Sequence, residues 1–91
     1  MLHSVTIIVE GLVQGVFYRQ STKTKALETG IAGEVSNQPD GTVRITATGT
    51  EEQLQKLIQW CHIGPERAVV KQVKVEKIPY TPFKSFNIKR G

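Results

Sequence analysis

Cysteine and histidine are scarce in this sequence, which contains one cysteine, Cys61, and two histidines, His3 and His62. A single thiol excludes an internal disulfide and any site built from several thiolates. Two histidines add too few ligands for a zinc cluster. We therefore expect no bound metal, and we expect Cys61 to be a small core residue and not a nucleophile.

Long apolar runs are also missing. The longest run near the start, residues 5–9, is five residues long and contains Thr6. That is shorter than the apolar region of a signal peptide or a membrane span. With 91 residues, the chain has no room for a second core. We expect one domain over residues 1–91, located in the cytoplasm and not associated with a membrane.

The formal net charge is +4, yet no dense basic run is present. Residues 46–91 hold the excess, with eight basic against four acidic residues. These basic residues are spread singly among apolar ones, which is typical of the solvated sides of strands. We therefore expect no nucleic-acid partner, and we expect a monomer.

The apolar pattern predicts seven elements. Strands are predicted at residues 5–9, 31–37, 42–48, 69–78 and 86–88, and helices at residues 19–29 and from a capping box at Thr50 and Gln53 to Gly64. Residues 38–41, QPDG, predict a hairpin turn between the second and third strands. This order predicts an α+β protein, the ferredoxin-like α/β sandwich, with an antiparallel sheet that carries both helices on one face.

Two glycines and an arginine lie between the first strand and the first helix, in residues 11–19, GLVQGVFYR. We call this segment the 11–19 loop. Glycine allows successive backbone N–H groups to point inward, and a helix N-terminus favours negative charge at the same place. Arg19 adds planar donors that match two phosphate oxygens. The pattern is neither a P-loop nor a dinucleotide fingerprint, so it does not indicate ATP or NAD.

A plainer interpretation is that the glycines only turn the chain and that Arg19 is solvated. A cation in the first helical turn opposes the helix dipole by roughly 0.3–1 kcal/mol unless an anion is present, which makes arginine an unfavourable choice for that role. Asn37, at the end of the second strand, similarly has a plain role, that of capping the hairpin turn. The residues alone leave both interpretations open.

Two motifs of the chain resemble the acylphosphatase family. The first is Gly11-x-Val13-Gln14-Gly15-Val16-Phe17-Tyr18-Arg19, and the second is Gly33-x-Val35-x-Asn37-x-x-Asp40-Gly41-x-Val43, followed by Gly49. The resemblance continues through residues 64–68 and the ending Phe86-x-Ile88, which is similar to bacterial-type members.

The resemblance implies a metal-free enzyme, without a cofactor, that hydrolyses acyl phosphates to a carboxylate and inorganic phosphate. It implies that Arg19 and Asn37 are catalytic, with Arg19 binding the phosphate and Asn37 orienting the attacking water. The backbone N–H groups that it assigns to phosphate binding are those of Gln14, Gly15, Val16, Phe17, Tyr18 and Arg19. The expected partners are a small acyl phosphate and inorganic phosphate, as product or inhibitor.

The chain departs from the family at two positions. Tyr18 stands where the family usually has phenylalanine, and its hydroxyl needs a partner if it is buried. Glu34 stands where an aromatic residue is common, at an odd offset from Asn37 that sends it to the opposite strand face. We expect Glu34 to alter the surface or the rim of the site without placing a carboxylate against the phosphate, and the sequence leaves open how these two residues affect substrate preference.

Two other functions are compatible with the predicted fold. RNA-recognition domains share this plan, but they read bases with aromatic residues on the open sheet face, and the first and third strands have none. The other is a domain retained for protein interaction, as acylphosphatase-like domains in larger carbamoyl-transfer proteins suggest. The presence of Arg19 and Asn37, in a chain without a fused domain, favours activity.

Overall fold

The computed structural model describes residues 1–90 and contains five strands and two helices in this part of the chain. Their bounds are β1 His3–Leu12, α1 Tyr18–Thr29, β2 Ala32–Asn37, β3 Val43–Gly49, α2 Glu51–Cys61, β4 Val69–Ile78 and β5 Phe86–Ile88. Neither helix is both long and apolar enough to cross a membrane, as far as the described residues go.

The five strands form one sheet in the order β4-β1-β3-β2-β5. All neighbours are antiparallel except β2 and β5, which are parallel. The ferredoxin-like α+β fold is confirmed, and the predicted antiparallel sheet is mixed because of this one parallel pair. A strand of three residues has no sequence signal for its direction. β4 runs opposite to β2, and the chain crosses the end of the sheet from the last residue of β4 to the first of β5. β5 therefore runs parallel to β2.

One face of the sheet carries the hydrophobic core. Val5, Ile7 and Val9 of β1 lie opposite Ala47, Ile45 and Val43 of β3, and all six side chains are buried. The two helices contact each other and the strands of this face. The other face is more polar, with Thr6 opposite Thr46 and Ile8 opposite Arg44. β4 lies at one edge, where Lys71, Lys74 and Lys77 are exposed.

Helix α2 begins with the capping box that the sequence predicts. The Thr50 side chain accepts from the Gln53 N–H at 3.2 Å, and the Gln53 side chain accepts from the Thr50 N–H at 2.8 Å. Leu54, Leu57 and Cys61 form the buried stripe of the helix. The prediction that Cys61 is a core residue is therefore confirmed.

The first strand is longer than its β-branched run predicts. It continues to Leu12 because it pairs with β4 through a register shift at Glu10 and Gly11. A side chain at position 11 would meet the Val69 carbonyl oxygen, so glycine permits this close pairing. Part of the 11–19 loop is therefore strand, and its irregular part is residues 13–17.

We predict that Thr50→Ala lowers the free energy of unfolding by about 1 kcal/mol, because the N-cap acceptor is lost. Urea denaturation followed by circular dichroism measures the change. Thr24→Ala is the matched control, since Thr24 is exposed within α1 and its hydroxyl donates only to the Gln20 carbonyl of the same helix. Equal losses in the two variants would contradict the capping assignment.

Candidate active site

Two residues in the irregular part of the 11–19 loop, residues 13–17, have left-handed backbone conformations. Gly15 has φ 75° and Phe17 has φ 63°. Phe17 is also the N-cap residue of α1, and its side chain makes no capping hydrogen bond. A left-handed conformation is uncommon for a bulky residue. Such outliers cluster at binding and catalytic sites, where the surrounding structure holds them in place.

Buried side chains on both sides fix this backbone. Val13 and Val16 are both buried in the core, and Tyr18 is only 1% exposed. Between them, Gly15 and the Phe17 ring are exposed. The buried side chains anchor the loop to the core, and the exposed residues between them leave its other side open to solvent.

The start of α1 offers backbone donors to a ligand. The Ser21 N–H makes the first hydrogen bond of the helix, to the Phe17 carbonyl at 3.0 Å. The preceding N–H groups of Tyr18, Arg19 and Gln20 have no intrahelical acceptor. The first turn contains no acidic residue, so no carboxylate of the helix competes with an incoming anion. This is the local geometry that binds phosphate in other proteins.

The loop borders a depression of about 390 Å³. Arg19 of α1 and Asn37 of β2 both line it, so the fold brings together the two residues that the sequence pairs in one site. Its lining consists of Val13, Gly15, Phe17, Tyr18, Arg19, Gln20, Asn37, Ile88 and Arg90.

The guanidinium of Arg19 is available for a ligand. Two ion pairs occur within residues 1–90, Glu10 with Lys74 and Glu34 with Lys89, each at 3.8 Å between nitrogen and oxygen. Arg19 belongs to neither pair, and its side chain is half-buried beside the loop. A half-buried guanidinium without a protein carboxylate has its donors ready for an anion.

Asn37 is not used to cap the hairpin turn. That role belongs to Asp40, whose Oδ1 accepts from the Thr42 N–H at 3.0 Å and from the Thr42 hydroxyl at 2.7 Å. The Oδ1 of Asn37 is buried and has no hydrogen-bond partner within residues 1–90. A buried acceptor of this kind calls for an explanation, and the binding of a polar ligand or a water is one.

Gln14 and Val16 belong to the loop but do not line the depression. The Val16 side chain is in the core. The Gln14 side-chain amide donates to the carbonyl oxygens of Gln38 and Thr42, at 2.9 and 3.0 Å. Sequence reasoning assigned Gln14 only a backbone role and missed this side-chain contact.

The lining contains no carboxylate, imidazole or thiol. Nor do the described residues, 1–90, contain a group of three or more His, Cys, Asp or Glu side chains that could hold a metal ion. Cys61 is buried, and burial raises the pKa of its thiol to about 12. The donors that face a ligand in the depression are therefore backbone and side-chain N–H groups.

Ile88 and Arg90, at the C-terminal end of β5, also line the depression. Sequence reasoning did not place them there. The parallel pairing of Ile88 with Val35 sets the end of β5 next to the end of β2, and this pairing has no local sequence signal. Arg90 adds a second arginine to the lining of the depression.

The acylphosphatase family model matches residues 5–88 of the chain. The chain belongs to the acylphosphatase family. It is similar to the acylphosphatase of Marinobacter nauticus, with 53% identity over 75 residues, which is 82% of each chain. It shares 42% identity with the acylphosphatase of Thermoplasma volcanium, covering 99% of this chain and all of that one. The structure of an acylphosphatase from Coxiella burnetii superimposes with a TM-score of 0.94 at 33% identity, covering 97% of this chain and 93% of that chain.

Tyr18, the first departure from the acylphosphatase pattern, lines the depression, but its side chain is almost entirely buried. Its hydroxyl donates to the Cys61 carbonyl oxygen at 2.8 Å, and its ring centroid lies 5.3 Å from that of Trp60. Burial raises the pKa of this hydroxyl, with a smaller contribution from Cys61. Tyr18 therefore links the start of α1 to the end of α2.

Glu34, the second departure from the acylphosphatase pattern, lies outside the lining of the depression. Its carboxylate pairs with Lys89 at 3.8 Å. It borders a neighbouring depression that shares Asn37 and also includes Arg44. Glu34 thus sits beside the site without facing the loop.

We predict that Tyr18→Phe lowers the free energy of unfolding by about 1–3 kcal/mol, because the buried Cys61 carbonyl loses its side-chain donor. Urea denaturation measures the loss. The other tyrosine, Tyr80, is 56% exposed, so Tyr80→Phe is the matched control and should change stability by less than about 0.5 kcal/mol. A Tyr18→Phe variant as stable as the control would show that the hydrogen bond is energetically neutral.

Proposed function

We propose that this chain is an acylphosphatase that hydrolyses the carboxyl-phosphate bond of small acyl phosphates. The observation that carries the proposal is that Arg19 and Asn37 share one depression whose lining has no acidic, imidazole or thiol group. Such a site can bind and orient a phosphate, but it cannot protonate a leaving group. Its substrate must therefore carry a phosphate that is already activated.

An acyl phosphate meets this requirement. Its leaving group is a carboxylate, and carboxylic acids have pKa values of about 4, so departure at neutral pH needs no general acid. A phosphate monoester of an alcohol would release a far more basic alkoxide. The absence of an acid from the lining therefore favours a mixed anhydride over a monoester.

Arg19 and the backbone bind the phosphoryl group in this mechanism. The N–H groups of Gln14 to Arg19 and the planar guanidinium hold the phosphoryl oxygens and stabilise the charge that develops on them. Positioning and electrostatic stabilisation supply most of the catalysis in phosphoryl transfer. The exposed ring of Phe17, 74% accessible at the edge of the depression, provides an apolar surface for the acyl group.

Asn37 holds the attacking water. The side-chain oxygen of Asn37, buried and unpartnered among residues 1–90, accepts a hydrogen bond from that water and directs it at phosphorus. The new P–O bond forms in line with the breaking bond to the acyl oxygen, and the electron pair of that bond leaves with the carboxylate. Because an amide is not a base, the water's proton passes to a phosphoryl oxygen. No covalent enzyme intermediate forms.

We propose further that the reaction needs no metal ion. Hard divalent cations prefer carboxylate and carbonyl oxygens, and the lining offers no carboxylate. The two guanidinium groups of Arg19 and Arg90 would also repel a cation. Their positive charge takes the place that a magnesium ion has in other phosphoryl-transfer sites.

RNA binding is another function that the fold permits. It usually requires aromatic side chains on the open face of the sheet. Phe86 is the only Phe, Tyr or Trp in the five described strands, and it is 1% exposed, in the core. No aromatic ring of these strands is therefore available on the open face to stack with bases. This supports the hydrolase proposal over a binding module.

We predict that Arg19→Lys lowers kcat/KM for benzoyl phosphate by about 10²–10³-fold, because a point charge replaces two parallel donors. Initial rates of benzoyl phosphate hydrolysis measure this. Arg67→Lys, a change at an exposed arginine beyond α2, should keep the wild-type rate. Near-normal hydrolysis by the Arg19→Ala variant would overturn the assignment.

We predict that Asn37→Ala lowers kcat with little change in the inhibition constant of inorganic phosphate, since the water-holder is lost and the phosphate site is kept. Asn87→Ala, at the other asparagine, is the matched control because Asn87 is exposed on β5.

Wild type should be equally active in a chelator and should not hydrolyse glycerol phosphate. Loss of activity in the chelator would contradict the metal-free mechanism.

A further inference from the structure

We propose that the side chain of Gln14 is a positioning residue that fixes Asn37 relative to the 11–19 loop. The inference rests on the proposed hydrolysis, in which the loop holds phosphorus and Asn37 holds the water. Neither group can act unless the distance between them is set. The Gln14 amide joins the loop to Gln38, the residue that follows Asn37, and to Thr42.

The contacts of Gln14 use both hydrogens of its amide nitrogen. Nε2 lies 2.9 Å from the Gln38 carbonyl oxygen and 3.0 Å from the Thr42 carbonyl oxygen. Gln38 follows Asn37 directly, and its own N–H donates to the same Thr42 carbonyl at 2.8 Å. The amide is therefore bound to both sides of the hairpin at the point where β2 ends.

The sheet connects the loop to Asn37 only indirectly, through Val43 of β3. β1, which leads into the loop, and β2, which ends in Asn37, are separated by β3 in the strand order. Within residues 1–90, the two Gln14 bonds are the hydrogen bonds that join residues 13–17 to the hairpin turn 38–42. They cross 24 and 28 positions of sequence.

The turn itself does not need Gln14 to keep its shape. Gly41 donates to the Gln38 carbonyl at 3.0 Å, and Asp40 accepts two hydrogen bonds from Thr42. What Gln14 adds is the placement of the turn against the loop. Because Gln14 does not line the depression, its side chain acts on Asn37 and not on the substrate.

The expected loss of rate follows from how precisely the reacting groups must be placed. An error of about 1 Å in the placement of a reacting group can cost about 10²-fold in rate. Removing both donors frees the turn to shift against the loop. The backbone N–H groups and Arg19 remain, so phosphate binding should change little.

The test compares Gln14→Met, which keeps the length of the side chain and removes both donors, with wild type on benzoyl phosphate. We expect kcat to fall about 10–100-fold, while the inhibition constant of inorganic phosphate stays within about threefold. Asp40→Ala, which loosens the same turn but keeps the Gln14 bonds, is the matched control and should keep kcat within about twofold of wild type.

The pH dependence of kcat in Gln14→Glu separates a positioning role from a role in stability alone. The ionised carboxylate has no donor for the two carbonyl oxygens, whereas the protonated acid has one. The kcat of this variant, as a ratio to that of wild type at the same pH, should therefore rise as the pH falls from about 8 to about 5. This arm also decides the matter if Gln14→Met does not fold.

A Gln14→Met variant with wild-type kcat, or a flat ratio for Gln14→Glu across the same pH range, would overturn the inference and leave the proposed function intact. A phosphate inhibition constant that worsens by the same factor as kcat would place Gln14 in phosphate binding instead and would also overturn it. A folded wild type that does not hydrolyse benzoyl phosphate would overturn the proposed function and the inference together.

Discussion

The left-handed backbone of Phe17 is the constraint on which the site depends. A left-handed residue other than glycine costs about 1–2 kcal/mol, so the conformation requires support from its surroundings. That support comes from Val16 and Tyr18, which enter the core on either side of it. Because both neighbours are fixed, the chain enters α1 with its first N–H groups free of intrahelical acceptors and with Arg19 in the lining of the depression. The core of this small protein thus determines where the proposed phosphate site lies.

The second half of the site depends on a different part of the fold. Asn37 ends β2, and β2 is held between β3 and β5 in the sheet. The parallel pairing with β5 also brings Arg90 to the depression. The arginine of the loop and the amide of the strand therefore belong to separate elements, and their relative position is a property of the tertiary structure.

Much of the architecture could be predicted because its signals are local. The capping box of Thr50 and the turn 38–41 act over a few residues, and both occur as predicted. Residues that meet through distant pairings gave no such signal. Gln14 contacts the hairpin 24 and 28 positions away, and Arg90 reaches the depression only through the direction of β5. The roles of Arg19 and Asn37 came from the family motifs, because their residue types alone allowed plainer interpretations.

The lysines of β4 have a consequence for the chain in solution. β4 is an edge strand, and an unpaired strand edge is a template on which another chain can form hydrogen bonds. Lys71, Lys74 and Lys77 space positive charge along its ten residues, so a second copy that approached this edge would bring like charges together. The excess of basic residues in the second half of the chain thereby opposes aggregation through the sheet edge.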